Sequence, residues 1–349
     1  MIPSGTAQLV ADGHQVLVET GAGHGAGITD DQFVEAGAAL LETAERGYEV
    51  ADLVVKVKEP QPSEYPLLKR DQLVLGYFHF AASRSLTEAF MASEACALAY
   101  ETLVDESGRL PLLVPMSEVA GRMSVQQGAK LLENPAGGRG VLLGGVPGTS
   151  PAHVTILGAG VVGTEAAKMA AGLGAHVHLL DTNLARLRTL SEILPANVTV
   201  LSSDRGRILE ELKIADLVIG AVLIKGALAP RLVTRADLGF MKKGSVVVDV
   251  AVDQGGCFES TRPTTHEHPS FVEGGVIHYC VANIPGAVSR TSTFALCNAT
   301  LPYVRLLAHH GFPEVCSVAP GFFSSLNISR GQVYERGVAE AFGLPLTLP

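Results

Sequence analysis

The chain has 349 residues, 47% of them hydrophobic, a mean hydropathy of +0.28 and a formal charge of −9. That is apolar material for a large core in two domains, and without a basic stripe it excludes a nucleic-acid surface. No uncharged apolar run approaches the roughly 18 residues of a membrane span, the opening MIPSGTAQLVADGH has no basic stretch leading into an apolar one, and five dispersed cysteines form no CxxC pair, so a cytoplasmic protein without a disulfide framework is expected.

Short apolar runs then alternate with helical ones from end to end, the pattern of an α/β protein. HQVLVE (14–19), ADLVVKVK (51–58), QLVLGYFHF (72–80) and CALAYETL (96–103) predict buried parallel strands. TDDQFVEAGAALL and SLTEAFMASEA predict helices between them. The glycine-rich ENPAGGRGVLLGGVPGTSP (133–151) reads as the join to a second part, a loop in preference to a phosphate cradle. Beyond it HVTIL begins a sheet that ADLVIGAVL (215–223) and SVVVDVAVD (245–253) continue, with TRADLGFMKK as a helix capped by Thr234.

The densest signal is HVTILGAGVVGTEAAKMAAGLGAHVHLLD, residues 153–181. Gly158, Gly160 and Gly163 form GxGxxG directly after an apolar strand and at the head of a helix. The first glycine permits the turn, the second lets backbone N–H groups approach a diphosphate at the positive helix end, and the third lets helix and strand pack closely. Asp181 ends the next strand, where an acid accepts ribose hydroxyls and repels a 2'-phosphate, so NAD is expected over NADP. Arg186 and Arg188 lie on a polar helix face, where a solvated charge and a contact to a 2'-phosphate are alternatives.

Three positions have the chemistry to act on a substrate. Lys56 and Lys58 share one face of VVKVKEP before Pro60, and cations at a strand end suit an anion better than a core; one of them, Lys56 more readily than Lys58, also reads as a snorkelling surface lysine. His79 of YFHFAASR closes another apolar strand with an imidazole, the side chain that exchanges protons near neutral pH, although a hydrogen-bonded core histidine is the plainer alternative. Asp249 and Asp253 interrupt VVVDVAVDQGG, where Gly255 and Gly256 allow close approach of backbone, and one of the two acids is structural.

The segments VKVKEP, PLLVPMSEVAGRM, GGRGVLLGGVPG, ADLVIGAVLIKGALAPRLV, VVVDVAVDQGGCFESTRPTTH and YCVANIPGAVSRTSTFALCNATLPY resemble the alanine dehydrogenase family over essentially the whole chain. The resemblance implies an NAD-dependent homo-hexamer that interconverts L-alanine with pyruvate, ammonia and NADH. It implies a central Rossmann dinucleotide-binding domain, residues 116–290, inside a discontinuous Rossmann-like α/β substrate domain of residues 1–115 and the C-terminal helices of 291–349. Lys58 would hold the substrate, His79 would transfer protons, and Asp253 would be its acidic partner, since formation and hydrolysis of an iminium need one group to take a proton and another to deliver one. Ser117, Val161, Asp181, Arg186, Ser203, Val222, Leu223, Val250, Arg262, Val281, Asn283 and Ile284 match positions lining the dinucleotide. Glu101 and His310 match positions where a magnesium ion is sometimes placed, but no metal is expected here.

Two departures stand out. Ile284 replaces the family's usual methionine, a nearly volume-conserving change. Family members also begin with a strand and a carboxylate-clamping arginine, and this chain starts after both, which predicts a natural start further upstream and a form that binds NADH better than it processes alanine. Lys56 is the first candidate for a substitute clamp. Three rival readings remain open: a related reductive aminase for another 2-oxo acid, a subunit like that of nicotinamide nucleotide transhydrogenase, and a catalytically impaired NAD-binding homologue.

Overall fold

The computed structural model describes residues 1–222 and 228–348, which form two compact units: residues 1–116 with 288–348, and residues 117–222 with 228–287. The first unit runs α1 (Pro3–Ala11), β1 (Leu17–Glu19), α2 (Asp30–Glu35), β2 (Ala39–Leu41), α3 (Ala44–Val50), β3 (Leu53–Val55), β4 (Leu73–Gly76), α4 (Arg84–Ser93) and β5 (Cys96–Ala99). Helix α5 (Val114–Leu131) leads into the second unit. There follow β6 (His153–Leu157), α6 (Val161–Gly172), β7 (His176–Asp181), α7 (Leu184–Ile193), β8 (Val198–Ser202), α8 (Arg205–Ile214), β9 (Leu217–Gly220), β10 (Val246–Asp249), β11 (Ser270–Glu273) and β12 (Val276–Tyr279). The chain then rejoins the first unit through α9 (Ser289–His310), β13 (Leu326–Ser329), β14 (Gln332–Val333) and α10 (Arg336–Phe342).

In the first unit a five-stranded sheet has the order β14-β13-β5-β4-β3, while β1 and β2 pair separately in parallel. Successive residues of β4 point to opposite faces. Leu75 therefore joins Leu98, Tyr100, Leu307 and Phe322 on one side, and Val74 joins Ala97, Phe78, Phe90 and Ile328 on the other. Both faces being covered, β3, β4 and β5 are built from apolar residues and glycine, as the sequence indicates, while β13 and β14 are mixed. The second unit has seven strands in the order β11-β12-β10-β9-β6-β7-β8, all parallel except β11. Side-chain caps set the helix starts: Thr29 and Gln32 form a capping box on α2, and Asn183 and Asp204 cap α7 and α8. Among the described residues no helix is long and apolar enough to cross a membrane.

The structure corrects several expected elements. The helix predicted through TDDQFVEAGAALL stops at Glu35, because Gly37 turns left-handed at φ +93°, and Ala39–Leu41 becomes a strand beside β1. The C-terminal segment, expected to be helical, also supplies β13, antiparallel to β5, and β14. The Thr234-capped segment is a 3-10 helix, Arg235–Phe240. The strands are shorter than read, so Lys58, His79 and Asp253 all stand beyond strand ends rather than within strands.

Candidate active site

In the second unit, six parallel strands deliver their carboxyl ends to one edge, and β6 lies where the chain order reverses between β9 and β7. A crevice outside such a switch point is where open α/β sheets bind ligands. Gly158 leaves β6 with φ +104°, and a side chain there would press on the Ala221 carbonyl and Val222. Gly163, in the first turn of α6, sits so close that a Cβ would fall 1.8 Å from the Gly158 oxygen. Gly160 is the opposite case. A Cβ there meets nothing within 4 Å, and as N-cap of α6 it offers no side-chain cap, so the helix end faces open space. That is the cradle a diphosphate requires, and the residues fit a dinucleotide.

The neighbours of this turn brace it. Asp181 accepts from the Ala159 N–H at 2.7 Å and from the Asn183 N–H at 2.8 Å, while its own carbonyl accepts from the Ser203 N–H. Arg186 is no solvated charge: its guanidinium donates to the Ala159 carbonyl and the Thr164 hydroxyl, both at 3.1 Å. Arg188 is exposed. Gly121 brings α5 against α6, a Cβ there lying 2.3 Å from the Val162 carbonyl, and Ser117 is one turn earlier on the same helix face. Val161 and Val222 border the turn, and Val250 donates its N–H to Gly220 at the end of β10. Leu223 lies outside the described residues.

Asp253 lies on the loop after β10, where its Oδ2 accepts the Asn283 N–H at 3.3 Å. Asn283 is left-handed at φ +62° and its carbonyl is 3.2 Å from His266 Nε2. Val281 and Ile284 are buried on either side of it. Arg262 sits over the Phe271 ring at 4.2 Å, beside the outer strand β11. The loop itself is tied down by Asp249, fully buried, whose carboxylate accepts from Thr261 Oγ1 at 2.6 Å, the Cys257 N–H at 2.9 Å and the Ala251 N–H at 3.1 Å. Burial pushes this carboxyl up to about 6 despite those donors.

In the first unit Lys58 and His79 arrive together because β3 and β4 are parallel neighbours and their pairing continues to the Tyr77 N–H and the Val57 carbonyl, 3.1 Å apart. Both side chains are half-buried. His79 is left-handed at φ +51°, a conformation that costs a non-glycine residue about 1 kcal/mol. Lys56 is committed elsewhere: it pairs with Glu64, which also accepts from the Tyr48 hydroxyl and the Gln61 N–H. The expected substitute clamp is thus a loop fastener. Glu101 Oε1 bonds the backbone of Phe78 and His79, and His310 stacks edge-on against His309. Among the described residues no three metal-ligating side chains are grouped to hold an ion.

The family models agree with this architecture. The alanine dehydrogenase/PNT N-terminal domain matches residues 1–120, and its C-terminal domain residues 124–336. The chain belongs to the alanine dehydrogenase/PNT family. An alanine dehydrogenase of Halomonas elongata is 51% identical over 344 residues, 99% of this chain and 93% of the relative. A solved L-alanine dehydrogenase superposes with a TM-score of 0.91 at 49% identity, covering 98% of this chain and 94% of that one. A transhydrogenase from Sinorhizobium meliloti superposes at 0.77 with 24% identity, over 96% and 94% of the two chains, and shares the fold.

Within this family member, sequence reading missed the bracing residues around the site. Gly121, which lets α5 approach α6, and Thr261, which bonds Asp249, give no periodic signal, being a glycine in a helix and a threonine in a loop.

Two outcomes follow. Gly160→Ala should leave the melting temperature within a few degrees and weaken NADH binding at least about tenfold, whereas Gly163→Ala should destabilise the fold itself; equal NADH titrations for Gly160→Ala and wild type would remove the turn from the diphosphate site. The second concerns Asp249. Its carboxyl ionises near pH 6 when folded and near 3.8 otherwise, so between those values the native state holds the extra proton and stability falls as pH rises. Urea titrations should show wild type losing about 2 kcal/mol relative to Asp249→Asn between pH 4 and 6.5, with the difference levelling off above about pH 7.

Proposed function

We propose that the two units divide one reaction between them, the first (residues 1–115 and 291–349) serving the amino acid and the second (116–290) serving the dinucleotide. The protein is an NAD-dependent oxidoreductase that deaminates L-alanine to pyruvate and ammonia, and reverses it. NAD, when bound, accepts the hydride from the substrate carbon. The observation that carries the reading is the open Gly160 cradle flanked by Asp181 at the end of β7, joined to near 50% identity with alanine dehydrogenases over almost the full chain.

The residues then have distinct tasks. Lys58 holds the anionic end of the substrate with its ammonium. His79 takes the proton from the reacting nitrogen or attacking water and returns it in the reverse direction. Asp253 supplies the complementary charge, its loop anchored by the buried Asp249 and by the Asn283 N–H. Asp181 selects NAD: its carboxylate fixes the glycine turn through the Ala159 N–H and leaves lone pairs for ribose hydroxyls, while its charge disfavours a 2'-phosphate. Ser117, Val161, Arg186, Ser203, Val222, Leu223, Val250, Arg262, Val281, Asn283 and Ile284 complete the proposed dinucleotide contacts. A cytoplasmic homo-hexamer is the assembly we favour, supported by the family resemblance and by five free cysteines.

His79→Ala and Asp253→Asn should abolish turnover while NADH still binds, and Lys58→Ala should raise KM for pyruvate as well as lower kcat. NADH formation at alkaline pH from L-alanine, against a panel of other amino acids, tests the reaction. NADH binding with no turnover of any of them would overturn it.

A further inference from the structure

The polypeptide at His79 is bent against its own preference, and something must hold it. Strand β4 ends at Gly76, yet the next residues remain in the core: Phe78 and Phe80 are buried, stacked at 4.8 Å, and both meet the edge of Phe90. His79 between them is left-handed and only half-buried, so the two phenylalanines anchor inward while the imidazole turns out. The bend takes the N–H groups of Phe78 and His79 out of the sheet ladder. A single oxygen collects both. Glu101 Oε1 accepts from Phe78 at 3.1 Å and from His79 at 2.7 Å. It can do so because β5 is the parallel neighbour of β4, with Gly76 opposite Ala99, which brings the residue two places past β5 against the residues just past β4. Its other oxygen, Oε2, is buried without a hydrogen-bond partner among the described residues.

We propose that Glu101 is the positioning residue for His79: it fixes the left-handed turn that presents the imidazole, and it does so as a neutral-equivalent acceptor whose placement matters and whose charge does not. The inference rests on the reading of His79 as the proton-transfer group. The two groups it serves are uncharged backbone N–H donors at 3.1 and 2.7 Å, which is the reason to separate placement from charge, since any carbonyl oxygen held at that point accepts the same pair. A glutamine retains one carbonyl oxygen at the same reach, whereas an aspartate retains the charge and withdraws the oxygen by one methylene.

The test compares Glu101→Gln and Glu101→Asp in the full chain, with His79→Asn alongside, reading kcat and KM for pyruvate, NADH affinity and melting temperature. Glu101→Gln should keep kcat within about threefold, and Glu101→Asp should lose about 10- to 100-fold in kcat, as a misplacement of roughly 1 Å does, with NADH affinity unchanged. A spared Glu101→Asp, or an impaired Glu101→Gln, would overturn the proposal in favour of a charge or ligand role. If Glu101→Asp melts early and loses NADH, Glu101→Gln alone decides: wild-type turnover supports the proposal and loss overturns it. Full turnover by His79→Asn would instead remove the underlying reading of His79, and the positioning role with it.

Discussion

The contact on which the second unit depends is the one between the Gly158 carbonyl and the backbone of Gly163, where an added Cβ would lie 1.8 Å from oxygen. It draws α6 down onto β6, so that the helix begins inside the turn rather than above it. The residues around the turn inherit that placement. The open face at Gly160, the Ala159 N–H given to Asp181, and the Ala159 carbonyl taken by Arg186 exist because the turn is this tight. A larger residue at position 163 would lift the helix end and separate all three.

Carboxylates in both units are used in the same way, to grip backbone at strand ends. Asp181 holds the glycine turn, Asp249 gathers the loop that carries Asp253, and Glu101 takes two successive N–H groups beside His79. Loops at the carboxyl ends of parallel strands leave the ladder abruptly, and their N–H groups need acceptors if they are to be both ordered and buried. For Asp181 and Glu101 the acid comes from the adjacent strand, because parallel neighbours finish at the same level, whereas Asp249 turns back on the loop that follows its own strand. The cost falls on the acid: Asp249, fully buried, ionises with difficulty, and its three donors offset only part of that penalty.

Much of the candidate site was legible in the sequence because its signals are local. Glycine spacing, the apolar strand before it and the acid ending the next strand lie within 153–181, and each has a steric or electrostatic reason tied to neighbours in the chain. Elements defined by distant partners were not legible. Ala39–Leu41 reads as helix in isolation and becomes a strand only because Val16 and β1 stand beside it. Leu326–Ser329 is short and mixed in polarity, and its place next to β5 is decided by chain more than 200 residues away. Lys56 and Lys58 look alike in VVKVKEP, and only Glu64, folded back from the following loop, shows that the first is engaged as a fastener.

By itself the sequence determined the α/β class, the dinucleotide turn and the family, since periodicity, glycine placement and long ordered motifs depend on residues close together along the chain. Tertiary structure alone decided which acid serves which backbone, where each strand stops, and that His79 stands in a left-handed turn held by Glu101. The physical reason is that hydrogen-bond partners of a strand end come from the neighbouring strand, and strand order is set by the burial of both sheet faces together, a property of the whole unit that no single stretch of residues carries.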